Sequence, residues 1–149
     1  MTHPHRTASA QVSEFHSRRR VEFSDTDMGG MMHFSRFFVF AENAEHELLR
    51  SLGASVDFDL DGQRAGWPRV ASSCEFHGPA RFEDELDICL RILRKGRTSL
   101  TYGFEIRRGE DLLARGQTRA VCCLLDLPEG LRAVPIPSWI ADQLEEAAP

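Results

Sequence analysis

Residues 35–52 have the sequence SRFFVFAENAEHELLRSL, in which apolar side chains recur at every third or fourth position. This period predicts one long helix, with Ser35 available as its N-cap and Gly53 as a left-handed terminator. Because a wide apolar face needs cover on several sides, we expect a sheet to wrap around the helix. The apolar positions that make up this face are Phe37, Phe38, Val39, Phe40, Ala41, Ala44, Leu48, Leu49 and Leu52.

After this helix the apolar period changes from helical spacing to strict alternation. Alternation places apolar side chains on one face of a strand, and we expect four such strands, around residues 70–76, 86–92, 100–106 and 114–124. Glycines between these runs favour short reversals, so the strands should form an antiparallel meander. One long helix followed by an antiparallel sheet indicates the α+β class. A second copy that paired with an exposed sheet edge would cover it, which predicts a homo-oligomer.

The remaining segments are shorter or more polar. A first strand is expected over residues 15–23, and the polar residues 1–14 are expected to form a flexible tail. Residues 54–68 are rich in aspartate and glycine and predict a long connection, whereas residues 138–146 have the spacing of a closing helix. Residues 15–149 are therefore expected to form a single domain.

The composition narrows the classes of function. A formal net charge of −5 and an isoelectric point of about 5.7 argue against nucleic-acid binding. The sequence shows no apolar run long enough to cross a bilayer and no signal peptide, so we expect a cytoplasmic protein without a membrane partner. The four cysteines form no CxxC pair and the six histidines are scattered, so we expect reduced cysteines and no metal site.

The most unusual segment is SDTDMGGMMHF at residues 24–34, between the first strand and the helix. With its flanks, residues 21–53, it resembles the signature of the 4-hydroxybenzoyl-CoA thioesterase family, which has Asp-x-Asp, a small residue, glycine and an aromatic-rich helix start. Residues 73–74, 79–86 and 132–137 resemble further motifs of that family. The resemblance implies a hotdog fold, in which a curved antiparallel sheet is wrapped around one long helix and is extended by dimerisation.

The resemblance also implies an activity and a set of site residues. Family members act on acyl-CoA or related acyl thioesters at a dimer interface, so a homodimer or homotetramer that binds a small-molecule acyl-CoA is expected. By position, the catalytic aspartate falls on Asp27, the backbone oxyanion donor near Phe34, and the intervening glycine on Gly30. No separate cofactor is implied, because coenzyme A is part of the substrate.

The chemistry of these residue types agrees with such roles. Thioester hydrolysis needs a nucleophile or a base for water, together with donors that hold the oxyanion. An exposed aspartate is ionised at neutral pH, so Asp27 can perform either task, and the choice between the two stays open. N–H groups in the first turn of a helix have no internal partner and lie at the positive end of the helix dipole. Gly29 and Gly30 would let the backbone approach the thioester closely.

Several neighbouring residues have two interpretations. His33 could orient water or the thioester carbonyl, or it could be an interface or core histidine. Asp25 is expected to form a turn. Glu42 is either a solvated or ion-paired helix residue or a catalytic carboxylate of the kind that other hotdog branches use. Three methionines either line an acyl channel or pack in the core, namely Met28, Met31 and Met32.

A basic turn at residues 94–99 resembles a family turn associated with CoA. Arginine binds phosphate through paired donors, so we expect substrate-binding residues here, although basic hairpin turns also serve solubility alone. The expected substrate-binding residues are Arg94, Lys95, Arg97 and Ser99.

Two other functions are compatible with the same sequence. The first is a non-catalytic acyl-CoA-binding or regulatory module, against which Asp27 and its glycines argue. The second is a hotdog dehydratase acting on 3-hydroxyacyl thioesters, which His33 and Phe34 near Asp27 would suit. The proline-rich surroundings that such enzymes show after the histidine are absent here, so thioester hydrolysis is the function that we expect.

Overall fold

The computed structural model describes residues 10–149, which form two antiparallel sheets and one long helix. The elements in chain order are β1 (Glu14–Arg20), α1 (Phe34–Ser51), β2 (Asp57–Leu60), β3 (Gln63–Gly66), β4 (Arg69–Phe76), β5 (Glu85–Lys95), β6 (Ser99–Arg108), β7 (Asp111–Val121), β8 (Cys123–Leu127), β9 (Gly130–Ala133) and α2 (Ser138–Ala141). The large sheet has the order β1-β5-β6-β7-β4, and the small sheet has the order β2-β3-β8-β9.

The core lies between α1 and the large sheet. Side chains of β5 and β6 alternate between buried and partly exposed along each strand, because one sheet face packs on the helix. Each fully buried large apolar side chain stabilises such a core by about 1.5–3 kcal/mol. The buried residues of these two strands are Leu86, Ile88, Leu90, Ile92, Leu100, Tyr102, Phe104 and Ile106. The predicted α+β class and the antiparallel sheet around one long helix are therefore confirmed.

Strand β4 forms one edge of the large sheet. It pairs with β7 on one side, and Val70 and Phe76 near its two ends are about half exposed. The predicted strand is present, but its alternating apolar face is not buried in one chain. An edge strand of this kind has backbone N–H and C=O groups without a strand partner on its outer side.

Helix α1 begins at Phe34, two residues before the start that an N-cap at Ser35 would give. His33 caps the helix, since its Nδ1 accepts from the Ser35 N–H at 3.3 Å, so the prediction that Ser35 is the N-cap is wrong. Histidine is not among the preferred caps, which is why the sequence favoured the serine. At the other end Gly53 has a φ of +77°, as predicted for a left-handed terminator. No helix within residues 10–149 is long and apolar enough to cross a membrane.

The predicted long connection at residues 54–68 is wrong, because most of it forms the β2–β3 hairpin. Asp61 and Gly62 make its turn with φ values of 52° and 82°. Asp59 supports this turn by accepting the Gly62 N–H on Oδ1 at 3.0 Å. An Asp-Gly pair between extended segments is a strong signal for a two-residue hairpin turn, and this signal was overlooked.

The ends of the chain also differ from expectation. The first strand ends at Arg20, and residues 23–25 form a 3-10 turn instead of continuing it. The predicted closing helix stops at Ala141, because Leu144 turns back to pair with Val12 in an isolated bridge. Residues 1–9 of the predicted tail lie outside the described residues, and Val12 is already held by a hydrogen bond to the Gln143 carbonyl at 2.8 Å.

Candidate active site

Asp27 lies in a tight loop that returns directly to the start of α1. Its backbone N–H donates to the Met31 carbonyl at 2.7 Å, and its carbonyl accepts from the Gly30 N–H at 3.1 Å. Its side-chain Oδ1 accepts from the N–H groups of Gly29, at 2.8 Å, and Met31, at 3.2 Å. Within residues 10–149 its Oδ2 has no hydrogen-bond partner. The loop thus holds the carboxylate by one oxygen and leaves the other free to react.

Two contacts fix this loop against the rest of the fold. Asp25 is buried, and its Oδ1 accepts from Arg36 Nε at 2.8 Å and Nη2 at 2.7 Å, while its Oδ2 accepts from the Glu22 N–H. The Met32 N–H donates to the Ala80 carbonyl at 2.7 Å. Asp25 therefore forms the predicted turn and also anchors the loop to the first turn of α1.

The first turn of α1 presents one unpaired N–H group. The Ser35 N–H donates to His33 Nδ1, and the Arg36 N–H donates to the His33 carbonyl at 2.9 Å. The Phe34 N–H has no acceptor in the described part of the chain. At the positive end of a helix such a group can donate to a developing oxyanion.

His33 is exposed, and its contacts are those of a capping residue. Its Nδ1 accepts from the Ser35 N–H and also lies 2.8 Å from the Ser35 hydroxyl. The ring also stacks on Phe34, with centroids 4.6 Å apart and planes inclined by 29°. The interpretation of His33 as a core histidine is therefore wrong, because its side chain lies at the surface.

A pocket of about 310 Å³ opens beside Asp27 and Phe34. Its other lining residues are mainly apolar, namely Met31, Met32, Phe37, Phe76, Gly78 and Pro79. Two of the three methionines from the sequence motif thus reach the pocket, whereas Met28 is fully exposed. Exposed apolar side chains around a carboxylate suit an apolar acyl group or the surface of a second protein.

The basic turn lies at the opposite end of the large sheet from Asp27. Strand β5 begins beside the Asp27 loop, where Met31 bridges to Arg81, and it ends at Lys95. Its 11 residues span roughly 35 Å at about 3.3 Å per residue. Lys95 Nζ donates to two backbone carbonyls of the C-terminal segment at 3.0 and 2.8 Å, while the two arginines of the turn are exposed. One chain therefore does not bring the basic turn to Asp27.

A buried ion pair between α1 and β4 was missed by the sequence analysis. Glu45 is 3% exposed and accepts from Arg69, with Nη2 at 2.6 Å and Nη1 at 2.8 Å. Burial raises the pKa of Glu45, and the Arg69 guanidinium opposes this rise. A glutamate on the apolar face of α1, between Ala44 and Leu48, was the signal that could have revealed it.

Glu42 lies near this ion pair and not in the pocket beside Asp27. Its carboxylate is 3.5 Å from Arg69, and both residues line a separate pocket of about 150 Å³ together with Tyr102. The Tyr102 hydroxyl is buried and has no hydrogen-bond partner among the described residues. Among the described lining residues of the first pocket, Asp27 is the only titratable one.

A third group of reactive side chains lies on the outer face of the large sheet, away from α1. Glu14 and His16 of β1 and Cys89 of β5 place one ligand atom each within 4.8 Å of one another. Burial, followed by the Glu14 carboxylate, raises the pKa of the Cys89 thiol to about 11. The sequence did not suggest this group, because Cys89 is 73 positions away from His16.

Comparisons with known proteins identify relatives of this chain. Residues 29–115 match the family model described as the thioesterase superfamily. The acyl-CoA thioester hydrolase YbgC of Escherichia coli O6:H1 is 31% identical over 116 residues, which cover 78% of this chain and 86% of that protein. The 1,4-dihydroxy-2-naphthoyl-CoA hydrolase of Synechococcus sp. is 31% identical over 108 residues, which cover 69% and 72%.

A solved structure agrees with these matches. A 1,4-dihydroxy-2-naphthoyl-CoA thioesterase from Synechocystis superposes with a TM-score of 0.75 at 28% identity, over 88% of this chain and 95% of that one. The family match begins at Gly29, two residues after Asp27, and includes α1 and strands β2 to β6. Because the match covers more than half of the chain and the sheet is wrapped around one helix in the hotdog arrangement, this chain belongs to the thioesterase superfamily.

Proposed function

We propose that the chain hydrolyses acyl-CoA thioesters to a free acid and the CoA thiol, with Asp27 as the reacting carboxylate. The observation that carries this proposal is the meeting of a partly free carboxylate and an unpaired helix N–H at one apolar pocket. Two relatives at 31% identity are named as hydrolases of CoA thioesters, which supports the substrate class. The chemistry needs no cofactor beyond the CoA portion of the substrate.

In the proposed reaction the thioester carbonyl oxygen accepts from the Phe34 N–H. Asp27 Oδ2 then either adds to the carbonyl carbon or takes a proton from the water that adds to it. In the first case the thiolate leaves and water hydrolyses the resulting anhydride. In the second case the tetrahedral intermediate breaks its C–S bond to leave the acid, and the departing thiolate takes the proton held by Asp27. Loss of one oxyanion donor typically costs about 3–4 kcal/mol of transition-state stabilisation.

Gly30 and His33 have positioning roles in this proposal. Gly30 has a φ of +79°, which lets the loop turn back so that Asp27 Oδ1 meets its two N–H donors. His33 accepts from two of the N–H donors of the first helical turn and stacks on Phe34, so it fixes the residue that supplies the oxyanion donor.

A second copy of the chain completes the CoA site. Pairing of the β4 edge with its own copy around a two-fold axis would run the two strands antiparallel. This arrangement brings the basic-turn end of one sheet to the Asp27 end of the other. Arg94, Arg97 and Ser99 of one copy then contact CoA bound at Asp27 of the other, while Lys95 stabilises the turn through its two carbonyl contacts.

Asp27→Asn tests the proposed carboxylate. The amide oxygen can still accept from the Gly29 and Met31 N–H groups, so the loop should keep its shape while the negative charge is lost. We expect free-thiol release from a panel of aromatic and aliphatic acyl-CoAs to fall by about 10²–10⁴-fold. Asp59→Asn is the matched control, because Asp59 makes the same kind of local contact in the β2–β3 turn and should leave the rate unchanged.

Two outcomes would change the conclusion. Hydrolysis by Asp27→Asn at the wild-type rate would contradict the role of this carboxylate. Binding of acyl-CoA without turnover by the wild type on every thioester would favour a non-catalytic module. Single-turnover hydrolysis in oxygen-18 water separates the two mechanisms, since label enters the Asp27 carboxylate only if it acts as the nucleophile.

A further inference from the structure

The outer face of the large sheet carries a cluster of three ligand-type side chains. Glu14 and His16 are two positions apart on β1, so their side chains point to the same face. Cys89 lies directly opposite His16 in the β1–β5 register. Glu14 Oε1 is 2.7 Å from His16 Nε2 and 3.4 Å from Cys89 Sγ. His16 Nε2 and Cys89 Sγ are 3.9 Å apart.

These distances are close to those of a tetrahedral metal site. With zinc bonds of about 2.0–2.1 Å to nitrogen and oxygen and about 2.3 Å to sulfur, neighbouring ligand atoms lie roughly 3.3–3.6 Å apart. Side-chain shifts of roughly half an ångström would therefore convert the observed triangle into three corners of a tetrahedron. The fourth corner remains for water.

We infer that Glu14, His16 and Cys89 bind a divalent cation of the zinc class. The donor set of one carboxylate oxygen, one imidazole nitrogen and one sulfur is typical of zinc ligands and unlike the all-oxygen sets of calcium and magnesium. In the absence of a cation, the three groups hydrogen-bond to one another.

Nearby charges support this assignment of donors. Arg91 lies opposite Glu14 in the β1–β5 register, and its Nε is 3.8 Å from Glu14 Oε2, so the arginine can hold this oxygen while Oε1 meets His16 and Cys89. Outer-sphere contacts of this kind orient metal ligands. The nearby carboxylate of Glu105 is engaged by Arg107 and Arg115, at 2.9 and 3.0 Å. The bound cation would tie β1, an edge strand, to its neighbour β5.

Cobalt binding to the full chain tests the site. After treatment with a chelator, Co²⁺ is titrated into the wild type, Cys89→Ser and Cys74→Ser. Cys74→Ser is the matched control, because Cys74 is also a partly exposed free cysteine in the same sheet. We expect one Co²⁺ per chain with a thiolate-to-cobalt charge-transfer band in the wild type and in Cys74→Ser, and no such band in Cys89→Ser. His16→Gln should weaken binding at least tenfold.

The charge-transfer band makes the test specific. The N-terminal residues include His3 and His5 but no cysteine, so cobalt bound there would not produce the band. Thioesterase activity and circular dichroism of Cys89→Ser, measured in parallel, verify that the variant is folded. Absence of the band in the wild type, or its persistence in folded Cys89→Ser, would overturn the inference. A zinc-dependent rise in melting temperature that the wild type shows and Cys89→Ser lacks would support it independently.

Discussion

The two oxygens of the Asp27 carboxylate differ in their hydrogen bonding, because the surrounding loop binds only one of them. Oδ1 accepts two N–H groups, while Oδ2 is left unpaired among the described residues. The loop can offer both N–H groups only if the chain reverses within a few residues, and Gly30 supplies the left-handed conformation for that reversal. The position of the carboxylate thus depends on a residue with no side chain.

Gly30→Ala is expected to lower activity through the backbone alone. A Cβ at this position would meet no atom within 4 Å, so the cost comes from the left-handed φ and is about 1–2 kcal/mol. Relief of this strain would displace Asp27, and we expect kcat/KM for acyl-CoA hydrolysis to fall at least tenfold. Steady-state kinetics and urea unfolding measure the two effects.

Gly62→Ala is the matched control for this substitution. Gly62 has a φ of +82°, also meets no atom within 4 Å, and lies in the β2–β3 turn away from the pocket. A similar loss of stability with unchanged kinetics is expected. Equal losses of activity in both variants would mean that general destabilisation, and not the Asp27 loop, limits the enzyme.

The segment between β4 and β5 supports the Asp27 loop through the Met32–Ala80 hydrogen bond and the bridge between Met31 and Arg81. Asp84 organises this segment, since its Oδ2 accepts from the Arg81 N–H and from Arg108 Nη1, both at 2.8 Å. Burial alone would raise the pKa of Asp84, but these two contacts more than offset it and hold the pKa below its usual value. The charged form of Asp84 therefore stabilises the folded chain.

Asp84 is expected to make stability sensitive to acid. Because its folded pKa lies below the unfolded value of about 3.8, its contribution is present above that pH and is lost as pH falls through the folded pKa. Asp84→Asn should be less stable at pH 7, and its free energy of unfolding should fall less steeply than that of the wild type between pH 5 and pH 3. Urea unfolding at several pH values measures both slopes.

Asp111→Asn is the control for the Asp84 prediction. Asp111 approaches the same Arg108 at 3.8 Å but its side chain is 74% exposed, so water screens the pair. We expect the pH dependence of this variant to match the wild type. The explanation fails if Asp111→Asn flattens the profile as much as Asp84→Asn does.

At the scale of elements, the spacing of apolar residues correctly predicted structures that form within one segment of the chain. The period of α1 and the alternation of β5 and β6 arise within each segment, so one helix and the antiparallel strands were correctly predicted. The cap of α1 was not, because histidine is not among the preferred N-cap residues, although its Nδ1 accepts the Ser35 N–H here. Contacts between distant segments, such as Glu45 with Arg69, depend on how the helix lies on the sheet and could not be read from spacing.

At the scale of the whole molecule, the large sheet ends in two edge strands, β1 and β4, and β4 carries exposed apolar side chains. β4 pairs with β7 on one side, and Val70 on it is 55% exposed. An apolar edge strand favours pairing with a copy of itself. Such pairing would also explain why the Asp27 pocket and the basic turn lie at opposite ends of the same chain.

Val70→Lys tests the role of this edge. A buried lysine at the seam would oppose pairing of β4 with its copy, so sedimentation should change from twice the mass of one chain to a single chain, with loss of hydrolysis. Leu131→Lys is the control, because Leu131 is equally exposed, at 59%, on β9 of the small sheet. A monomeric wild type with full activity would contradict the assembly.

The Asp27 loop and the basic turn lie about 35 Å apart along β5, and this separation makes complementation between two variants possible. If the acid and the CoA contacts of each site come from different copies, two inactive variants can rescue each other. A mixture of Asp27→Asn with a variant lacking Arg94 and Arg97 would contain mixed dimers in which one site unites the intact halves, recovering about a quarter of full activity. Expression of both variants in one cell would then restore hydrolysis that neither variant supports alone.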